Sequence, residues 1–157
     1  MADTAAPDIS AEGDAWRCRI VRRFDAPLSQ VWRAFSDPAR LADWFGPEGT
    51  STRLDTFEFR EGGAYALVMI ADDGREFPLK GRFLEIAEGR RIVMTWLWLM
   101  ADASGVETTV SFDFAVDGDG TELILTHERL PEADNAVSHG EGWESSLRKL
   151  AVNVVEN

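Results

Sequence analysis

The first patterned stretch of the chain runs from Trp16 to Arg23. Trp16, Cys18, Ile20 and Arg22 alternate with Arg17, Arg19, Val21 and Arg23, the period of two that marks a strand. Asp25-Ala26-Pro27 breaks it. Val31, Trp32 and Phe35 then recur at helical spacing, with Ser29 as the expected N-cap. Pro38 restricts the residue before it, so this helix ends near Ser36-Asp37. A second short helix is expected from Pro38, a good first-turn residue, through Leu41 to Trp44. Gly46-Pro47-Glu48-Gly49 reads as a stiff turn.

Six strand-like segments follow: Ser51 to Arg60, Ala64 to Ala71, Arg75 to Ala87, Arg91 to Leu99, Val106 to Val116 and Thr121 to Arg129. Short Gly/Asp turns such as Asp72-Asp73-Gly74 join several of them, which predicts sequential antiparallel pairing. Val106, Thr108, Val110, Phe112, Phe114 and Val116 share one face, and Glu107, Thr109, Ser111 and Asp113 the other. Leu123, Leu125 and His127 likewise oppose Glu122, Ile124, Thr126 and Glu128. One side of such a sheet is covered and the other wet.

Pro131-Glu132 opens a polar linker. From His139 the positions His139, Trp143, Leu147, Leu150 and Val154 step by four, four, three and four, one continuous stripe on a helix. A helix with one apolar stripe, after a sheet with one apolar face, packs across that sheet. The expected class is α+β, in the order strand, two helices, six strands, long helix. Residues 1–14, small and acidic, read as a disordered leader, and 15–157 as one domain.

Composition narrows the function classes. At 157 residues a sizeable core needs no covalent staples. Six Trp and nine Phe against one Tyr give an interior lined with rings, either as solid core or as the wall of an incompletely filled pocket. The net charge of −12, with no basic run, argues against nucleic acid and against an anionic membrane surface. No segment has the apolar length of a membrane helix, and the N-terminus has no secretory pattern. The single Cys18 cannot form an internal disulfide, so a cytoplasmic location is expected and Cys18 reads as a packed thiol.

Four stretches in order carry a family resemblance. They are Phe24-Asp25-Ala26-Pro27 with Val31-Trp32-Arg33-Ala34-Phe35, and Trp44-Phe45-Gly46-Pro47-Glu48-Gly49. Next come Glu61-Gly62-Gly63 with Tyr65, Met69, Gly81, Glu85-Ile86 and Thr95-Trp96. The last is Thr126-His127-Glu128 with His139, Gly142-Trp143 and Leu147. With these residues the chain resembles a START-like domain of the SRPBCC superfamily (helix-grip, Bet v 1-like). Within that superfamily it is similar to the activator of heat-shock protein 90 ATPase homologue 1-like branch. The resemblance spans about residues 16–155. It implies a curved antiparallel sheet gripping a long C-terminal helix, in a superfamily whose members bind lipids, hormones or polyketide intermediates and sometimes catalyse ring closure. Fold alone does not assign activity.

The space between sheet and helix is the expected site. Trp44, Phe45, Tyr65, Met69, Phe83 and Trp96 are candidate ligand contacts. So are Trp98, Phe112, Phe114, His127, His139 and Trp143. Trp96, Phe112 and Phe114 equally suit plain core positions, and Trp143 an anchor of helix to sheet. His127 and His139 are the groups that titrate near neutrality, placed to face each other at one end of the space. Two histidines without a third ligand do not make a metal site, and no cofactor is implied. Glu58 and Glu85 read as solvated strand residues. No Gly-x-Ser-x-Gly and no phosphate-cradling loop occurs.

The leading expectation is a binding protein for a small hydrophobic, lipid-like or aromatic molecule. A cyclase or dehydratase using His127 or His139 as acid or base is the second reading. A chaperone-docking module, suggested by the branch name, is the third. A homodimer through strand edges or the loop around Trp44-Phe45-Gly46 is compatible with the sequence, which fixes neither it nor the ligand.

Overall fold

The computed structural model describes residues 6–100 and 105–156. Strand β1, Asp8–Glu12, leads into β2, Ala15–Phe24; helices α1, Leu28–Ser36, and α2, Pro38–Trp44, follow. Six strands come next: β3, Thr50–Phe57; β4, Ala64–Ala71; β5, Glu76–Ala87; β6, Arg91–Trp98; β7, Thr108–Asp117; and β8, Gly120–Leu130. The chain then runs into α3, Ala133–Glu156. The strands form one antiparallel sheet in the order β1-β2-β8-β7-β6-β5-β4-β3. The α+β class agrees with the sequence reading, and so does the element order from β2 onward.

Three local expectations are corrected. Order begins earlier than Trp16, because Asp8–Glu12 pairs residue by residue with Ala15–Arg19. That pairing is made by backbone groups, which the polar side chains of the segment do not announce. Residues 1–5 of that leader lie outside the described residues. Helix α1 is capped by Pro27 rather than Ser29: the Pro27 carbonyl accepts from Gln30 and Val31 N–H, and no side chain caps the end. Helix α3 starts at Ala133, six positions before the apolar stripe, where Asn135 Oδ1 accepts the Glu132 N–H at 3.1 Å and the Asn135 N–H donates to the Glu132 carbonyl at 3.1 Å. Pro38 does open α2, and Asp37 caps it through Ala39 N–H.

The faces fall largely as the alternation predicts. Thr108, Val110, Phe112 and Phe114 are buried in β7, and Leu123, Leu125 and His127 in β8. Val106 and Val116, at the two limits of the same alternation, are exposed. Glu58 and Glu85 pair with Arg60 and Arg91 in partly exposed ion pairs, as solvated strand residues do. Cys18 is fully buried, and its thiol is pushed up to about 11, first by burial and then by the charges of Glu144 and Asp8. A packed thiol in that state is no nucleophile.

Helix α3 lies over one side of the sheet, against β2, β1 and β8. The approach is close at Gly140, where an added Cβ would stand 3.0 Å from Cys18 Sγ. Trp143, Leu147, Leu150 and Val154 all bury, so the predicted stripe is the helix's packing face. Helices α1 and α2 fill the space under the C-terminal half of α3. There Phe35 meets Trp44, Phe112 and Phe114 at ring-centroid distances of 4.8 to 5.0 Å. Trp44 Nε1 donates to the Ala34 carbonyl at 2.9 Å and ties α2 to α1. Among the described residues no helix is long and apolar enough to cross a membrane.

Candidate functional site

Because α3 rests on the β1-β2-β8 side, a gap is left between its N-terminal half and the β4-β5-β6 side of the curved sheet. The gap is a pocket of about 310 Å³. Its sheet wall is Met69 of β4, Phe77 of β5, and Trp96 and Trp98 of β6. Its helix wall is Ser138, His139, Gly142, Trp143 and Ser146 of α3. Phe45, Gly46, Pro47 and Thr50, in and around the loop after α2, close the third side. Among the described residues every lining side chain is uncharged or a neutral imidazole.

The helix wall explains why the space is empty. Ser138, Gly142 and Ser146 recur every four residues, so they stack along one line of α3 beside the stripe that packs. An added Cβ at Gly142 would meet nothing within 4 Å. Three small residues at this spacing leave a trough where large ones would fill it. Ser138 is exposed and Ser146 is 3% exposed, so the trough runs from the surface inward.

The loop wall is clasped to α3. Gly46 takes φ +102, a left-handed conformation open to glycine, with the Thr50 and Thr52 hydroxyls beside it. Thr52 Oγ1 donates to the Phe45 carbonyl. Ser145 Oγ accepts the Glu48 N–H at 2.6 Å, Lys149 Nζ donates to the Gly46 carbonyl at 3.0 Å, and Arg148 pairs with Glu48 at 2.9 Å. The Arg148 guanidinium holds the Glu48 carboxyl below its usual range, and burial lowers the Lys149 ammonium.

Two tryptophans fix the state of the two histidines. Trp98 Nε1 donates to His139 Nε2 at 3.1 Å, and His139 Nδ1 lies 2.7 Å from the Asn135 carbonyl. Indole N–H only donates and a carbonyl only accepts, so His139 is neutral with its proton on Nδ1. Trp143 Nε1 donates to His127 Nδ1 at 3.1 Å. His127 Nε2–H therefore donates to Thr108 Oγ1 at 2.8 Å, and that hydroxyl donates on to the Trp96 carbonyl at 3.3 Å. Burial lowers both imidazoles, His127 the further, with the nearby His139 as its second cause; the Asn135 bond partly offsets the shift at His139. The rings stand 4.7 Å apart, centroid to centroid. Trp96 Nε1 is buried without a hydrogen-bond partner among the described residues.

Of the twelve candidate contacts, Phe45, Met69, Trp96, Trp98, His139 and Trp143 come together around this pocket. Tyr65, Phe83 and Phe112 line a second, nearly closed void of about 20 Å³ deeper in the core, shared with Phe45. Tyr65 is held there by its hydroxyl bond to the Thr95 carbonyl at 2.5 Å, and burial raises its phenol well above the usual range. Trp44 and Phe114 line neither space and pack as core. His127, fully buried, stands behind the wall rather than in it, bonded to Trp143. Phe77, the loop residues and the small residues of α3 were missed. The four-residue spacing of Ser138, Gly142 and Ser146 was the available signal.

Among the described residues no group of three or more His, Cys, Asp and Glu side chains is placed to hold a metal ion. In both histidines the lone pair that would bind one is already engaged by an indole N–H.

Comparison with known proteins matches residues 25–154 to the family described as Activator of Hsp90 ATPase homolog 1-like protein. An uncharacterized protein of Schizosaccharomyces pombe, C1711.08, is 28% identical over 127 residues, which are 81% of this chain and 34% of that protein. The chain thus spans about a third of the length of that curated relative. Two crystal structures are similar throughout. Protein CV1439 of Chromobacterium violaceum is 32% identical with a TM-score of 0.80, covering 91% of this chain and 98% of that one. The AHSA1 protein of Silicibacter pomeroyi is 31% identical with a TM-score of 0.81, covering 88% and 97%.

Proposed function

The chain belongs to the Activator of Hsp90 ATPase homolog 1-like family, and on that premise we propose that it binds a small hydrophobic molecule in the pocket between its sheet and the N-terminal half of α3. The observation that carries this is the trough itself: about 310 Å³ walled by rings and kept open by Ser138, Gly142 and Ser146. That volume lies at the lower end of the range of small-molecule sites, which are mostly apolar with a few placed polar groups. It is also about twice the engineered cavity that admits a benzene ring, so two fused rings are a natural fit.

The histidine geometry weighs against the acid–base reading. A general base needs a free lone pair within reach of the substrate proton. His139 Nε2 and His127 Nδ1 each already hold an indole N–H, and the second lies behind the wall. The chaperone-docking reading rests on the family's description alone.

The test is a thermal-shift screen of the protein against fatty acids, sterols, flavonoids and aromatic polyketides, with Trp fluorescence as the second signal. A ligand at a hundred times its dissociation constant adds about 2.7 kcal/mol. In a domain of this size that raises Tm by about 5–10 °C. A shift of that size with altered Trp emission supports the reading. A flat screen together with unresponsive Trp98 and Trp143 side-chain signals in NMR titrations contradicts it.

A further inference from the structure

The polar atoms around the pocket are unequal in what they have left to offer. Ser146 Oγ donates to the Gly142 carbonyl at 3.0 Å, Ser138 Oγ to the Asn135 carbonyl at 3.2 Å, and Thr50 Oγ1 to the Pro47 carbonyl at 2.7 Å. The ring donors of Trp98, Trp143 and His139 are engaged as well. Trp96 Nε1–H is left without a partner among the described residues, but that atom is itself buried. What the described wall leaves accessible is acceptor capacity, since a hydroxyl that donates once keeps its two lone pairs. The deepest of these oxygens is Ser146 Oγ, on a residue only 3% exposed. A buried acceptor facing an apolar space is best matched by a neutral donor, because an anion there would lose its hydration with no cation among the described lining residues to replace it.

Building on the pocket reading, we infer that the ligand is an uncharged ring compound carrying a hydroxyl or N–H donor, and that Ser146 Oγ is the acceptor that seats it. The ring lies among Phe45, Trp96, Trp98 and Trp143, which meet one another at centroid distances of 5.2 to 5.8 Å. Its donor points down the trough past Gly142 to Ser146. A donor about two helical turns nearer the start of α3 would instead meet His139 Nε2, already engaged by Trp98. Ser146 therefore acts as a specificity-determining residue for the donor, while the rings set affinity for the apolar body.

Three probes of one size separate the terms: 2-naphthol, 2-methylnaphthalene and 2-naphthoate, each titrated by calorimetry into the wild-type protein and into Ser146→Ala. Ser146→Ala is expected to weaken 2-naphthol about fivefold, the worth of one hydrogen bond, and to leave 2-methylnaphthalene unchanged. In the wild type, 2-naphthoate is expected to bind at least about tenfold more weakly than 2-naphthol. Ser138→Ala, at the exposed end of the trough, serves as a control that should move neither neutral probe. If Ser146→Ala affects both neutral probes equally, or neither, or if the carboxylate binds as tightly as the naphthol, the donor assignment is wrong while the pocket reading stands. If none of the three binds the wild type, both are wrong.

Discussion

The interior has two aromatic regions, built from the same residue types, and only one of them is open. Under the C-terminal half of α3, Phe35 packs edge to face on Phe112 and Phe114 and tilted on Trp44, and the void beside them is about 20 Å³. Under the N-terminal half, Phe45, Phe77, Trp96, Trp98 and Trp143 surround about 310 Å³. Ring content does not distinguish them. The helix does: its C-terminal half buries Leu147, Leu150 and Val154, and its N-terminal half presents Ser138, Gly142 and Ser146 to the open region. Small residues in a line make the pocket, and the rings only give it a character.

The largest expected effect breaks the comparison at its packed end. Phe112, 1% exposed, contacts Phe35 and Trp143. Phe112→Ala is expected to cost about 3–5 kcal/mol, because it opens a cavity in a filled region. Phe77→Ala, on the wall of a space that already exists, is expected to cost about 1 kcal/mol. Urea unfolding of the two variants compares them, and equal losses would mean that the two regions are packed alike.

A second test uses the histidines, His139 in the wall of the open region and His127 behind it. Both are lowered by burial, so below about pH 6.5 the unfolded chain takes up protons that the folded chain refuses. Stability is therefore complete above the unfolded histidine value and is lost as pH falls from there toward the folded values. Each group contributes a limiting slope of about 1.4 kcal/mol per pH unit. His127→Gln, whose side-chain oxygen can still accept from Trp143, is expected to flatten the curve between pH 6.5 and 5 relative to wild type, by the share of one histidine. An unchanged slope would show that His127 is not held neutral.

Smaller effects sharpen the contrast. Gly142→Ala is expected to stabilise the protein by about 1 kcal/mol, since it replaces an interior helix glycine where nothing stands within 4 Å. The same change at Gly140 should not, because its Cβ would press on Cys18. Trp143→Phe should cost about 1 kcal/mol more than Trp96→Phe. The first strands the buried His127 Nδ1, whereas the Trp96 N–H has no partner among the described residues to lose. Thermal melts resolve both differences.

The fold was legible because periodicity reports burial. The alternation in β7 and β8 and the stripe of α3 each named the face that buries. What escaped was set by groups that periodicity does not see. Strand β1 is recruited by backbone pairing to Ala15–Arg19, and the first six residues of α3 by the Asn135 cap. At the site, ring-bearing residues on inward faces were readable, yet Trp44 and Phe114 look no different in sequence from Trp98 and Phe45. Whether a ring lines a void depends on what opposes it across the interior, and here the opposing residues are a serine, a glycine and a serine whose smallness carries no periodic hydrophobic signal. His127 was read as facing the space because its strand face is inward. Its Nδ1 is instead taken up by the indole N–H of Trp143, which lines the space.

The most direct measurement is calorimetric binding of one hit from the thermal-shift screen to the wild-type protein and to Gly142→Leu, whose added side chain enters the trough without meeting another atom at its Cβ. The account predicts that Gly142→Leu melts no lower than wild type and no longer binds. Undiminished binding by a folded Gly142→Leu protein would place the ligand elsewhere and contradict it.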